Sequence, residues 1–142
     1  VSNLVLMDLK NLNKAFSEFR RVLKPRGNLV FSIMHPCFSS PSVRGWVREP
    51  RDSDRKEDRL FWKVDRYFDR TIEVWRVSDL PPLYSFHRPL SDYVKALLNN
   101  GFIITDFDEP TPTKAAMREH YREFANEYDR IPWFLVIGAR AP

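Results

Sequence analysis

LNKAFSEFRRVLKPRGNLVFSIMHPCF, residues Leu12–Phe38, reads in order as a helix, a tight turn, a buried strand and a His-Pro step. Leu12, Ala15, Phe16, Phe19, Val22 and Leu23 recur at three- and four-residue intervals, with Lys14, Glu18, Arg20 and Arg21 facing elsewhere, the pattern of an amphipathic helix. Lys24 precedes Pro25, which disfavours helical geometry there, and Gly27 permits the positive φ of a quick reversal. Leu29, Val30, Phe31, Ile33 and Met34 form a nearly unbroken apolar run, which predicts a parallel strand covered on both faces. A helix feeding such a strand marks the α/β class and, by itself, no activity. Ligands of open α/β sheets sit beyond the carboxyl ends of the strands, so His35 falls where a substrate would be.

Outward from that stretch, Val1 to Leu9 is ambiguous between a strand end and a short helix. Residues His35 to Lys56 are loop-like, with Pro36, Pro41 and Pro50. Phe61 to Phe68 is rich in aromatics. Thr71 to Val77 alternates like a strand, Ser78 to Pro82 is a turn, and Leu83 to His87 can return as the second arm of a hairpin. Leu90, Tyr93, Val94, Leu97 and Leu98 share a helical face that Gly101 ends. Phe102 to Phe107 is a strand. Met117, Tyr121, Phe124, Ala125 and Tyr128 suggest another amphipathic helix, and Trp133 to Ala139 a closing strand.

The wording of these segments is more specific than their periodicity. RVLKPRG followed by an apolar strand resembles the passage into the fifth strand of class I S-adenosylmethionine-dependent methyltransferases, whose usual version is RVLKPGG. VSNLVLMDL is similar to the end of that family's fourth strand. HRPLSDYVKALLNNGFIITDFDEPTP resembles its last crossover helix and sixth strand, and IPWFLVIGARAP its seventh. The resemblance covers nearly all of the chain. It implies the C-terminal half of a Rossmann-like methyltransferase sheet, with strands five, seven and six, the seventh antiparallel. Residues 1–142 would form one partial domain, in which 39–88 are an inserted loop and hairpin capping the acceptor side. The family's Gly-rich turn is missing, since Gly27, Gly45, Gly101 and Gly138 are the only glycines and no two are close. The chain alone is therefore expected to bind S-adenosylmethionine poorly and to be inactive.

By the same resemblance, Ser2 and Asn3 follow strand four, where the family touches its cofactor. His35, Pro36 and Phe38 would floor the acceptor site, and His35 could take a proton or orient the acceptor; equally, it could satisfy a loop carbonyl. His87 and Arg88 would face the acceptor pocket, Arg88 either binding an anionic group or pairing with Glu109 or another carboxylate to hold the cap in place. Tyr67, Phe68 and Trp75 are possible lid residues, with core packing as the default for aromatics. His35, Cys37, His87 and His120 lack metal-ligand spacing, so no metal is expected.

Composition narrows the partners. The net charge of +4 would suit nucleic acid, but the most charged run, Arg48 to Arg59, mixes both signs and cancels, unlike a phosphate-binding stripe. It reads as a solvated loop. No apolar run approaches a membrane span, and a single cysteine, Cys37, suits a reducing cytoplasm. A strand Leu29 to Met34 stripped of its neighbour would present an unpaired edge, predicting a homo-oligomer with contacts near Leu12 to Met34. Three functions stay open: methyl transfer to a small-molecule O or N acceptor, a non-catalytic interaction or oligomerisation module, and, least supported, a nucleic-acid binder.

Overall fold

The computed structural model describes residues 1–39, 45–48, 60–120 and 130–142. In chain order these are β1 (Ser2–Asn3), a 3₁₀ turn (Leu6–Asp8), α1 (Leu12–Val22), β2 (Asn28–Met34), β3 (Trp46–Arg48), β4 (Leu60–Trp62), β5 (Ile72–Trp75), β6 (Leu83–Phe86), α2 (Leu90–Asn99), β7 (Ile103–Asp108), α3 (Lys114–His120) and β8 (Phe134–Arg140).

The main sheet has the order β1-β2-β8-β7. The first pair, β1 and β2, is parallel, so α1 is the crossover between them. Seven register pairs, from Asn28↔Arg140 to Met34↔Phe134, make β2 and β8 antiparallel. The β7 strand is antiparallel to β8, with its register shifting between Ile104 and Asp106. The short β1 lies where the resemblance puts the end of a fourth strand, beside the three longer strands. It covers part of the β2 edge, through Ser2↔Phe31, Asn3↔Ser32 and the Leu4 amide donating to the Ser32 carbonyl at 3.0 Å.

Asn11 starts α1, its Oδ1 accepting the Lys14 amide at 3.0 Å, the usual way to satisfy an open helix N-terminus. The helix stops at Leu23, whose backbone is already extended. In the following turn the Gly27 amide donates to the Lys24 carbonyl at 2.8 Å, and the positive φ falls on Arg26 (61°) and not on Gly27. Gly27 is needed for closeness instead, because a Cβ there would lie 2.8 Å from the Lys24 oxygen. At the end of α2 the expectation holds. Gly101 has φ 77°, its amide bonds to the Leu98 carbonyl, and the Phe102 amide bonds to that of Leu97, a Schellman closure.

The core lies on one face of the sheet. Phe16 of α1 meets Phe31 of β2, with ring centroids 5.6 Å apart, and Phe102 beyond α2 at 6.3 Å. Leu29, Ile33, Leu97, Leu135 and Ile137 fill the space around them. Burial along β2 alternates, and Val30 on the other face is 39% exposed. The apolar run is therefore covered on one face among the described residues, a correction to the two-sided burial expected. An apolar run reports what a strand tolerates, whereas cover depends on partners it does not encode.

The hairpin of β5 and β6 forms as expected, from Ile72↔Phe86 to Trp75↔Leu83. The stretch expected to be loop contains β3, paired with β4 through Trp46↔Trp62. Residues 49–59 of the charged run and residues 121–129 of the last expected helix lie outside the described residues; α3 is the part of that helix that is seen.

Candidate functional site

His35 follows β2 directly, and its amide donates to the Trp133 carbonyl at 2.9 Å, extending the β2 and β8 pairing by one step. The chain then turns back, with the Phe38 and Ser39 amides both donating to the His35 carbonyl at 3.0 Å. Above this turn lies a cavity of about 690 Å³, within the range of small-molecule sites. Its floor is Met34, His35, Pro36, Phe38 and Trp133. Met7 and Asp8 come from the 3₁₀ turn, Trp62 from β4 and Tyr93 from α2. The β5 and β6 hairpin supplies Glu73, Trp75 and Leu83 to Phe86, and His87 and Arg88 close the ring.

Six expected residues, His35, Pro36, Phe38, Trp75, His87 and Arg88, therefore meet around one space. Tyr67 and Phe68 do not line it. Phe68 is 77% exposed. Tyr67 instead accepts the Leu90 amide at 2.9 Å, satisfying the first turn of α2, and lies 3.8 Å from the Cys37 sulfur. Burial is the chief reason its phenol is harder to ionise than usual. Trp75, half exposed at the rim, is not a core residue either. Ser2 and Asn3 also lie outside the cavity lining, the Asn3 side chain accepting the Ser32 hydroxyl.

The two cavity histidines are fixed differently. His35 is buried, with Nε2 2.8 Å from Glu109 Oε1 and Nδ1 accepting the Cys37 amide at 3.2 Å. An amide only donates, so Nδ1 is bare and Nε2 carries the proton toward Glu109. Both nitrogens are engaged, with a carboxylate and an amide and not with the loop carbonyl that was the alternative for His35. His87 Nε2 is 2.9 Å from the Tyr67 carbonyl.

Arg88 does not pair with Glu109, which belongs to His35. Its guanidinium donates to the backbone carbonyls of Leu9, Lys10 and, at 3.4 Å, Phe86, and lies over the Phe86 ring. It clamps the loop between the 3₁₀ turn and α1. The Arg70 guanidinium grips the Asp92 carboxylate with two bonds of 2.8 Å, tying the hairpin to the start of α2.

Trp62, Trp133, Asp8, Glu73 and Tyr93 also line the cavity, and sequence reasoning missed them as site residues. Their one common signal is composition: Trp62 bonds the Phe38 carbonyl at 2.9 Å and meets Trp133 edge-on at 4.9 Å, so these two of the four tryptophans hold one corner. Burial raises the Asp8 carboxyl above its ordinary value. Among the described residues no cluster of metal ligands occurs, and no helix is long and apolar enough to cross a membrane.

A family model described as "Methyltransferase domain" matches residues 1–31. Among solved structures, the S-adenosylmethionine-dependent methyltransferase from Mesorhizobium loti is 30% identical, with a TM-score of 0.75 over 97% of this chain and 59% of that one. A putative S-adenosylmethionine-dependent methyltransferase from Listeria monocytogenes is 27% identical, with a TM-score of 0.76 over 99% of this chain and 59% of that one. The glycopeptide N-methyltransferase MtfA, complexed with S-adenosyl-L-homocysteine, shares the fold at 16% identity, a TM-score of 0.50 and coverage of 99% of this chain and 52% of that one. The chain thus spans about three-fifths of the length of the first two. No curated protein matches it.

Proposed function

On the premise that this chain resembles the class I S-adenosylmethionine-dependent methyltransferases in sequence and fold, we propose that it forms the acceptor side of such an enzyme. The observation that carries this is the cavity beyond the carboxyl end of β2, roofed by the β5 and β6 hairpin. Residues 39–88 are then the cap over a small-molecule acceptor, methylated on O or N.

Toward the donor this chain offers Ser2 and Asn3 at the end of β1, and no Gly-rich turn beside them. The four glycines are scattered, so no Gly-rich turn lets backbone come close to such a ligand. We assign the donor's cradle to segments outside this sequence and expect the chain alone to be inactive, in a reducing cytoplasm. What these residues do is enclose and orient: the tryptophans and Phe38 exclude water, and His35 and Arg88 hold the floor and one wall in place. Holding a nucleophile in line is the larger part of catalysis when the reagent is already activated.

Titrating S-adenosylmethionine into the 142-residue chain calorimetrically tests this division. No saturable heat is expected; tight binding would overturn it. A polypeptide extended by its natural upstream coding sequence, given labelled donor and a small-molecule extract, should label a low-mass product. Label in no such product would reject the methyltransferase assignment.

A second reading, an interaction or oligomerisation module, is favoured by the open sheet face, where Val30, Ile103 and Phe134 are 39%, 61% and 40% exposed. Apolar faces of this kind invite a partner. Self-association in gel filtration at micromolar concentration supports it, and a monomer counts against it.

A further inference from the structure

The cavity's polar groups say which ligand it suits. His35 has neither nitrogen to offer, both being engaged inside the fold. Arg88 is taken up by backbone carbonyls and the Phe86 ring. The remaining ionisable side chains on the walls are Asp8 and Glu73, which are acidic, and the phenols of Tyr84 and Tyr93. Among the described lining residues, an anion would find no cation reserved for it.

His87 differs. The Tyr67 carbonyl can only accept, so His87 Nε2 carries the proton and Nδ1 keeps a lone pair. No described residue bonds Nδ1, and it is not among the sealed polar atoms left without a partner. Tyr67 stands outside the cavity lining while His87 is part of it. The two ring nitrogens point to nearly opposite sides, so anchoring one to Tyr67 leaves the other for the cavity. Around it the flat surfaces of Phe38, Trp62, Trp75, Tyr84 and Trp133 form the walls, which favour stacked or edge-on aromatic partners.

We propose that the cavity binds a planar aromatic molecule, neutral or cationic, whose hydroxyl or amine donates a hydrogen bond to His87 Nδ1. This rests on the acceptor-side function above only for why such a molecule would come there; binding itself needs no methyl donor. The donating group would then be the one presented for methylation, with His87 as the group that orients it.

The test is equilibrium dialysis of the 142-residue chain against three probes: naphthol, its methyl ether and naphthoate. Naphthol should bind at least about tenfold more tightly than the ether, because the ether leaves Nδ1 without a donor, and more tightly than naphthoate. The nitrogen chemical shift of His87 Nδ1 in the unaltered protein should move with naphthol and stay with the ether. In His87→Phe the preference for naphthol over its ether should vanish while aromatic binding persists. Equal binding of naphthol and ether, an unmoved Nδ1 signal, preference for naphthoate or no binding of any probe would each overturn the proposal. Selective naphthol binding by a protein whose extended form transfers no methyl group would instead sink the methyltransferase assignment and leave this one standing.

Discussion

Glu109 Oε1 stands 2.8 Å from His35 Nε2, and it joins the exit of β7 to the end of β2 across the antiparallel β8. The imidazole is 4% exposed and the carboxylate about half exposed. Both ring nitrogens are engaged, Nδ1 with the Cys37 amide and Nε2 with Glu109, so the ring is fixed in place. His35→Ala should therefore lower stability by about 2 kcal/mol, by leaving buried partners unsatisfied. Glu109→Ala should cost less than about 1 kcal/mol, since solvent screens its half-exposed carboxylate. Urea unfolding of the two variants checks the ranking.

Arg26 occupies the left-handed region at φ 61°, where a side chain costs about 1–2 kcal/mol. Arg26→Gly removes that strain but loosens the unfolded chain, which offsets part of the gain. A net stabilisation of about 0.5–1 kcal/mol is expected. A lower midpoint in thermal unfolding would contradict it.

Phe16 is completely buried and touches Phe19, Phe31 and Phe102. Its loss would leave a cavity where α1, β2 and the chain after α2 converge. Phe16→Ala should cost about 3–5 kcal/mol, a large share of the total for a domain of this size. Loss of cooperative unfolding in denaturant curves is the expected sign, and a small shift of midpoint would refute it.

Burial raises the Tyr93 phenol above its ordinary value, with Arg88 opposing in part. The folded state thus holds its proton longer than the unfolded state. That contribution is complete below the ordinary tyrosine value of about 10 and is lost as pH climbs beyond it. Tyr67 moves in the same direction. Stability should fall as pH rises above about 10, and Tyr93→Phe should fall less. Parallel slopes for the two proteins would argue against it.

How far the chain could be read depended on range. The α1 helix and β2 were legible because Phe16, Phe19 and Leu23, and then Leu29 to Met34, carry their periodicity locally. The β5 and β6 hairpin announced itself through the turn at Ser78 to Pro82. Of the six residues that meet at the cavity, His35 was legible from the strand that ends at Met34, whereas His87, Arg88 and Trp75 were expected there only by the family resemblance. What stayed hidden was set by distant partners. The Leu9 and Lys10 carbonyls that hold Arg88 lie 79 and 78 positions away. Trp62 and Trp133 meet across 71 residues of sequence, 133 minus 62. The exposed second face carrying Val30 could not be inferred from an apolar run.

Cys37 is the single thiol of the chain, set between Pro36 and Phe38 of the cavity floor, with its amide on His35 and its sulfur near Tyr67. A fluorophore coupled through maleimide chemistry would consequently attach at one known place without any engineered mutation. Its emission would report filling of the adjoining space, so candidate compounds could be ranked optically without a turnover assay.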